Sequence, residues 1–213
     1  MRKYYFIIIS FVFTLWCVCH VQADLIDFEG TGLSEGASLT TQIPGLTFVN
    51  TIIAKEGSPT LAFSTDDTIV GGAPFDGFFI TDVPVGGDVG VSQTIAISFD
   101  VPVFDVSCSV ADLDIWTGDL SEVLTAEVFD STNTLLQSIT ITAGDPGTGD
   151  GIATLVEFSI GNVSRLTLNV DNSEGRSGWG VDNLSFTPVP VPGAVLLGIL
   201  GLSAVCVKLR KFA

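Results

Sequence analysis

Histidine and basic residues are scarce in this chain, and each scarcity argues against a class of function. The one histidine of the 213 residues, His20, lies in an N-terminal segment with the pattern of a removed leader. The working protein then has no imidazole for a catalytic triad, a general base or the common zinc sites. Only 8 lysines and arginines stand against 24 acidic residues, which gives a net charge of −16. Such a polyanion is repelled by phosphate backbones, so we expect no nucleic-acid partner.

Cysteine is equally scarce where the chain is expected to fold. Cys17 and Cys19 belong to the leader and Cys206 to the C-terminal segment, which leaves Cys108 alone in the middle of the chain. No disulfide within that middle segment is possible. Cys108 falls on the apolar side of an alternating pattern, which indicates a buried, inert thiol.

The first 23 residues have the layout of a secretory signal peptide. Arg2 and Lys3 form a basic start, residues 4–18 form an apolar run, and small residues ending at Ala23 offer a cleavage site. We therefore predict export and cleavage after Ala23. The alternative is an N-terminal membrane helix that is retained.

The C-terminal 25 residues, 189–213, combine a proline motif, a short glycine-rich apolar stretch and a basic end. This order resembles the PEP-CTERM family of bacterial sorting tails in its Val-Pro-x-Pro variant, with Val191 where the name-giving motif has glutamate. The resemblance implies a transmembrane helix in the inner membrane, processing by an exosortase-like enzyme, and release to the cell surface or the extracellular matrix. A plain C-terminal anchor is the alternative. The residues that carry the motif are Val189, Pro190, Val191, Pro192, Gly193, Lys208, Arg210 and Lys211.

Residues 24–188 remain as a segment of usual size for one domain. All 24 acidic residues and only 3 basic ones lie here, so its net charge is −21. Apolar and polar residues alternate with period two and no sustained helical period is found. We predict an all-β, two-sheet antiparallel β-sandwich, jelly-roll-like by preference and immunoglobulin-like as the alternative. The predicted strands are 25–28, 46–54, 78–81, 94–99, 104–115, 124–129, 135–141, 153–160, 165–170 and 179–186.

A β-hairpin is predicted around residues 130–134. Polar residues, Asp130 and Asn133 among them, separate two alternating segments there, and aspartate and asparagine tolerate a left-handed backbone.

Two short motifs near the ends of the domain suggest a metal site. Asp27-Phe28-Glu29-Gly30 and Val181-Asp182-Asn183-Leu184-Ser185-Phe186 resemble the terminal strands of jelly-roll carbohydrate-binding modules. The resemblance implies that the first and last strands are neighbours and that Glu29 and Asp182 ligate a structural calcium ion, with Asp27 and Asn183 as helpers. Calcium takes six to eight oxygen ligands of this kind. The alternative is that Glu29 and Asp182 cap strand ends by hydrogen bonding.

Trp116 is the best candidate for contact with a sugar, because it follows a predicted strand directly and sits at a predicted loop. Asp112 and Asp114 alternate on the same strand and, with Asp119, are candidate ligand or cation contacts, although a merely charged outer face is the alternative. Trp179 and the cluster Phe75, Phe78 and Phe79 are expected to pack in the core.

Together these features predict an exported, non-catalytic β-sandwich, and the two resemblances imply extracellular polysaccharide as its ligand and Ca²⁺ as a candidate cofactor. The competing hypothesis is an acidic structural or adhesive matrix protein without a defined ligand. A glycoside hydrolase needs a pair of carboxylates about 5–9 Å apart. With 24 acidic residues in the domain such a pair arises by chance, so it gives no specific support.

Overall fold

The computed structural model describes residues 23–55, 77–82, 94–111, 113, 115–116, 120–149, 152–171 and 179–189. Ala23–Pro188 forms one compact unit that contains the whole described core. Residues 1–22 of the predicted signal peptide and all of the predicted tail beyond Val189 lie outside the described residues. Among the described residues, no helix has the length and apolar character needed to cross a membrane.

The described part of the chain is built from twelve strands and one 3₁₀ turn, Glu29–Thr31, and holds no α-helix. Every strand pairing in it is antiparallel, which confirms the all-β antiparallel prediction. The strands are β1 Asp24–Ile26, β2 Leu46–Val49, β3 Ile52–Lys55, β4 Phe78–Thr81, β5 Ile95–Ala111, β6 Ile115–Trp116, β7 Leu120–Ser121, β8 Val123–Phe129, β9 Leu135–Thr142, β10 Ala153–Phe158, β11 Val163–Asp171 and β12 Gly180–Pro188.

Strand β5 belongs to both layers of the sandwich. Its first residues pair with β2 and β11, and its last residues pair with β10 and β12. The first layer therefore has the order β2-β5-β11-β8-β9, and the second has the order β3-β4-β12-β5-β10 with β1 also beside β12. Strands that pass from one sheet to the other make the corners of such sandwiches.

One hydrophobic core lies between the two layers. Ile97, Leu166 and Val128 contribute from the first layer, and Val110 and Val181 contribute from the second. These side chains alternate with outward-facing residues along each strand, which is the reason that the period-two pattern predicts the strands correctly.

Two strand predictions are wrong in detail. The segment predicted as one strand, 46–54, is divided into β2 and β3, because Asn50 has a left-handed backbone with φ 56°. The two strands predicted at 94–99 and 104–115 are joined in the single 17-residue strand β5, which ends at Ala111. Pairing of Val103 with both β11 and β12 keeps the chain extended through residues 100–103, which lie between the two predicted strands.

The outward faces of the two layers differ. On the second layer, Ala54, Phe79, Ala111 and Asp182 point away from the main core and are still at most 2% exposed. On the first layer, the outward side chains of β5, β11 and β8 are all partly exposed. The open face of the first layer, as we call this surface, is therefore available to a ligand, whereas the corresponding part of the second layer is covered.

The predicted hairpin is confirmed by the pairing of β8 with β9. Its turn is held by Asp130, whose Oδ1 accepts hydrogen bonds from Thr132 N at 2.8 Å and Thr134 N at 2.9 Å, and from Thr132 Oγ1 at 2.8 Å. Asn133 has φ 66°, the left-handed backbone that the sequence predicts. The hydrogen bonds from Thr134 N and from the Thr132 side chain favour the charged form and lower the pKa of Asp130 below its ordinary 3.8.

Replacing Asp130 by alanine is expected to lower the melting temperature at neutral pH, because three donors lose their acceptor. The folded pKa lies below the unfolded value, so this contribution is complete above the unfolded pKa and is lost as pH falls through the folded pKa. The difference in melting temperature between the parent and Asp130→Ala should therefore shrink on acidification. A difference that stays constant at acid pH would contradict the assigned role of the carboxylate.

Candidate functional site

The two terminal motifs meet at one place in the second layer. Strand β1 pairs with β12 from Asp24↔Phe186 to Ile26↔Leu184, so the first and last strands are neighbours, as the resemblance implies. Strand β4 pairs with the same side of β12 nearer its start, at Val181. The end of β1 and the start of β4 therefore face each other beside residues 182–183, and we call this place the strand junction.

A β-bulge shapes the junction on the β12 side. Between its pairings with Ser109 and Ser107 of β5, β12 contains one residue more than its partner. The extra residue is at Asn183, which has φ 53°. The bulge allows Val181 and Leu184 to face the core together, although they are three positions apart.

Glu29 closes the junction from the β1 side. Its Oε1 accepts a hydrogen bond from the backbone N–H of Phe78, the first residue of β4. Its own N–H donates to Asp27 Oδ1 at 3.2 Å. Gly77, with φ 77°, leaves the space for this carboxylate, since a Cβ there would lie 1.7 Å from Glu29 Oε1. Glu29 thus caps a strand end, as the alternative to metal binding predicts.

Asp182 is buried, at 2% exposure, and its carboxylate is engaged by the bulge residue. Oδ1 accepts from Asn183 N at 2.7 Å and Oδ2 lies 3.3 Å from Asn183 Nδ2. Within the described residues, no three side chains of histidine, cysteine, aspartate or glutamate form a group that could hold a metal ion. The topology therefore places Asp27, Glu29, Asp182 and Asn183 around one junction, and calcium binding there stays a prediction from the resemblance.

Trp116 lies on a small hairpin and not in a simple loop. It pairs with Leu120 across the two-stranded ladder of β6 and β7, which begins four residues after β5 ends. The other candidates of this group, Asp112, Asp114 and Asp119, lie outside the described residues.

Of the residues expected in the interior, Trp179, Phe79 and Cys108 are buried, and Phe78 is only half-buried. Trp179 is fully buried in the main core, and Phe79 is buried on the outward side of β4. Cys108 is buried, and burial raises the pKa of its thiol to about 12, so the thiol is neutral and inert at physiological pH. Phe78 is half-buried, with the Lys55 ammonium 5.6 Å from its ring centroid, and Phe75 lies outside the described residues.

The open face of the first layer carries side chains that the sequence analysis did not single out as a site. Three rows run across β11 and β8, namely Arg165 opposite Phe129, Thr167 opposite Glu127, and Asn169 opposite Thr125. Strand β5 extends the first row with Ser98. The face therefore carries several hydroxyl groups and one amide, on strands about 4.8 Å apart.

Arg165 is the central group of this face. Its guanidinium lies over the Phe129 ring, 4.3 Å from the centroid, which is the distance of a cation–π contact. Among the described residues, it makes no ion pair, and its buried Nε has no hydrogen-bond partner. The Glu127 carboxylate, one row away on β8, also makes no ion pair within the described part of the chain. An arginine and a glutamate that do not bond each other leave several donors and acceptors open to a ligand.

The sequence alone does not reveal this site, because the side chains that pair across β11 and β8 are remote in the chain. Arg165 and Phe129 are separated by a hairpin and a further strand, so only the register between β11 and β8 brings them together. One signal was present, since Arg165 is one of only 3 basic residues in residues 24–188 and it falls in an alternating strand pattern.

Comparison with known proteins gives distant structural likenesses only. No protein-family model matches the chain, and no curated protein matches it. A DUF4465 family protein from Bacteroides caccae is similar at 12% identity and TM-score 0.47, covering 79% of this chain and 100% of the other. The K2 adhesin domain of Lys-gingipain gives 11% identity and TM-score 0.41, covering 78% and 98%. The CBM22-1 xylan-binding domain of Xyn10C from Paenibacillus barcinonensis gives 14% identity and TM-score 0.37, covering 81% and 99%.

Proposed function

We propose that this chain is an exported bacterial surface or matrix protein whose non-catalytic β-sandwich binds an uncharged extracellular polysaccharide on the open face of the first layer. Export rests on the signal-peptide pattern of the first 23 residues. Sorting rests on the resemblance of residues 189–213 to PEP-CTERM tails, with an exosortase-like enzyme as processing partner and the inner membrane as the transient anchor.

The observation that carries the binding proposal is the guanidinium of Arg165, which lies over the Phe129 ring and makes no ion pair among the described residues, on a face that also carries hydroxyl and amide side chains. The Arg165 guanidinium offers N–H donors, and the Glu127 carboxylate offers acceptors one row away. Sugar hydroxyls both donate and accept, so a sugar ring lying on this face can bond to both groups. Trp116, which follows the second-layer end of β5, stays a separate candidate contact from the sequence.

The net charge of the domain restricts the class of polysaccharide that it can bind. The domain carries −21, counted from 3 basic and 24 acidic residues, so acidic polysaccharides are repelled at low salt. Because one arginine cannot offset this field, we assign the ligand to the uncharged class, such as glucans, mannans or xylans.

Replacing Arg165 by alanine is expected to weaken binding to the best neutral polysaccharide at least about tenfold, which corresponds to about 1.4 kcal/mol. Affinity electrophoresis and calorimetry against a panel of neutral polysaccharides, with an alginate as the acidic comparison, measure this. Lys55→Ala is the matched control, because Lys55 also lies over a phenylalanine ring but belongs to the second layer. Equal affinity of Arg165→Ala and the parent would contradict the assignment of this face.

A further inference from the structure

Asn169 lies on the open face of the first layer, on the same strand as Arg165. Both side chains point outward, because Leu166 and Leu168 alternate with them and are buried in the core. Four positions along an extended strand correspond to about 13 Å, and Thr167 lies midway between the two. The strand therefore carries two nitrogen-bearing side chains in one line on the exposed face.

The amide of Asn169 is oriented by Thr94, the residue directly before β5. Thr94 Oγ1 donates a hydrogen bond to Asn169 Oδ1 at 3.2 Å. Thr94 is itself held from the side of β2, since Asn50 Nδ2 donates to the backbone oxygen of Thr94 at 3.1 Å. With Oδ1 directed toward Thr94, the other end of the amide, Nδ2, points away from it. Among the described residues, no hydrogen bond engages this Nδ2.

The line from Arg165 to Asn169 has open space beside it. The neighbours on β5 have short side chains, namely Ser98 opposite Arg165 and Ala96 opposite Thr167. All of these side chains are at least partly exposed. A chain of sugar units can therefore lie along β11, receive N–H donors at both ends of the line and contact the Thr167 hydroxyl between them.

We propose that Asn169 is a second ligand-binding residue of the open face, and that Thr94 positions its amide for a sugar oxygen. This inference rests on the proposed function and adds a direction to it. The polysaccharide runs along β11 from Arg165 to Asn169, and not across the strands. A ligand must then present oxygen acceptors about 13 Å apart, which a single sugar unit cannot span. The site consequently selects an extended chain of several sugar units.

Calorimetry of the Ala23–Pro188 segment, the compact unit of the chain, tests this with oligosaccharides of increasing length from the neutral polysaccharide that the parent binds best. Asn169→Ala should weaken the binding of long oligosaccharides about three- to tenfold, the usual effect of one hydrogen bond. Its effect should vanish for a monosaccharide, which cannot reach from Arg165 to Asn169.

Thr94→Val removes only the orienting hydroxyl. It should weaken the binding of long oligosaccharides about threefold in the parent, and not at all in an Asn169→Ala background. Thr140→Val is the matched control, since Thr140 is exposed in the same row as Asn169 but two strands away on β9. It should leave the affinity unchanged.

Parent affinity of Thr94→Val, or the same loss with and without Asn169, would overturn the positioning role. A loss in Asn169→Ala that is equal for monosaccharides and long oligosaccharides would overturn the direction along β11. If Arg165→Ala weakens binding and Asn169→Ala does not, this inference fails and the proposed function stands. If Arg165→Ala binds as the parent does, or no neutral polysaccharide binds, both fail.

Discussion

Replacing Trp179 by alanine is expected to lower the free energy of unfolding by about 3–5 kcal/mol, as for other buried large-to-small substitutions. Trp179 is fully buried, belongs to the main core and directly precedes β12. Its carbonyl also accepts a hydrogen bond from Thr81 Oγ1 at 2.9 Å, which ties the start of β12 to the end of β4. Domains of this size have a total stability of about 5–15 kcal/mol, so the loss is a large part of the whole.

Trp179→Phe is the matched comparison for this substitution. The indole Nε1 has no hydrogen-bond partner among the described residues, and a buried unpaired donor is itself destabilising. Phenylalanine removes that donor and leaves a smaller cavity, so its cost should be less than half that of alanine. Urea unfolding followed by far-ultraviolet circular dichroism measures both. Equal effects of the two substitutions would contradict the view that core volume dominates at this position.

Gly77→Ala is expected to be the second most destabilising change, at about 2–3 kcal/mol. A non-glycine residue at φ 77° costs about 1–2 kcal/mol in backbone strain. In addition, the new Cβ would lie 1.7 Å from Glu29 Oε1, so the carboxylate must leave the N–H of Phe78. The loss of this hydrogen bond adds to the strain, and the junction between β1 and β4 should loosen.

A double-mutant cycle separates the backbone strain at position 77 from the loss of the Glu29 hydrogen bond. In a Glu29→Ala background the carboxylate is already absent, so Gly77→Ala should cost only the backbone strain. The free energies of unfolding of the four chains give the coupling between the two positions. A coupling near zero would show that Glu29 does not support the strand junction, and would contradict the capping role that the hydrogen bond indicates.

Strands were predictable from this sequence where one face is buried and the other is open. Along β8, β10 and β11 buried residues alternate with more exposed ones, because these strands lie between the core and solvent. The hairpin between β8 and β9 was predictable for a local reason. The Asp130 side chain accepts hydrogen bonds within the turn, and Asn133 adopts its left-handed backbone conformation. These features depend on short stretches of chain.

Features that depend on long-range pairing were not predictable in the same way. The continuity of β5 through Pro102 results from its pairing with two different sets of strands, which no local pattern records. The bulge at Asn183 was not predicted, because Asn183 belongs to a motif that the resemblance associates with calcium binding. The meeting of Arg165 with Phe129 required the register between β11 and β8, and hence the whole order of the first layer.

The measurement that tests the central claim most directly is a nuclear magnetic resonance titration of the ¹⁵N-labelled Ala23–Pro188 segment with soluble neutral oligosaccharides. If this face binds the sugar, the largest chemical-shift changes are expected at the amides of Arg165, Thr167 and Glu127 and at the Arg165 side chain. Residues of the covered second layer, such as Phe79 and Ala111, should be nearly unaffected. Shift changes confined to the second layer, or none with any oligosaccharide of the panel, would contradict the claim that the open face of the first layer binds polysaccharide.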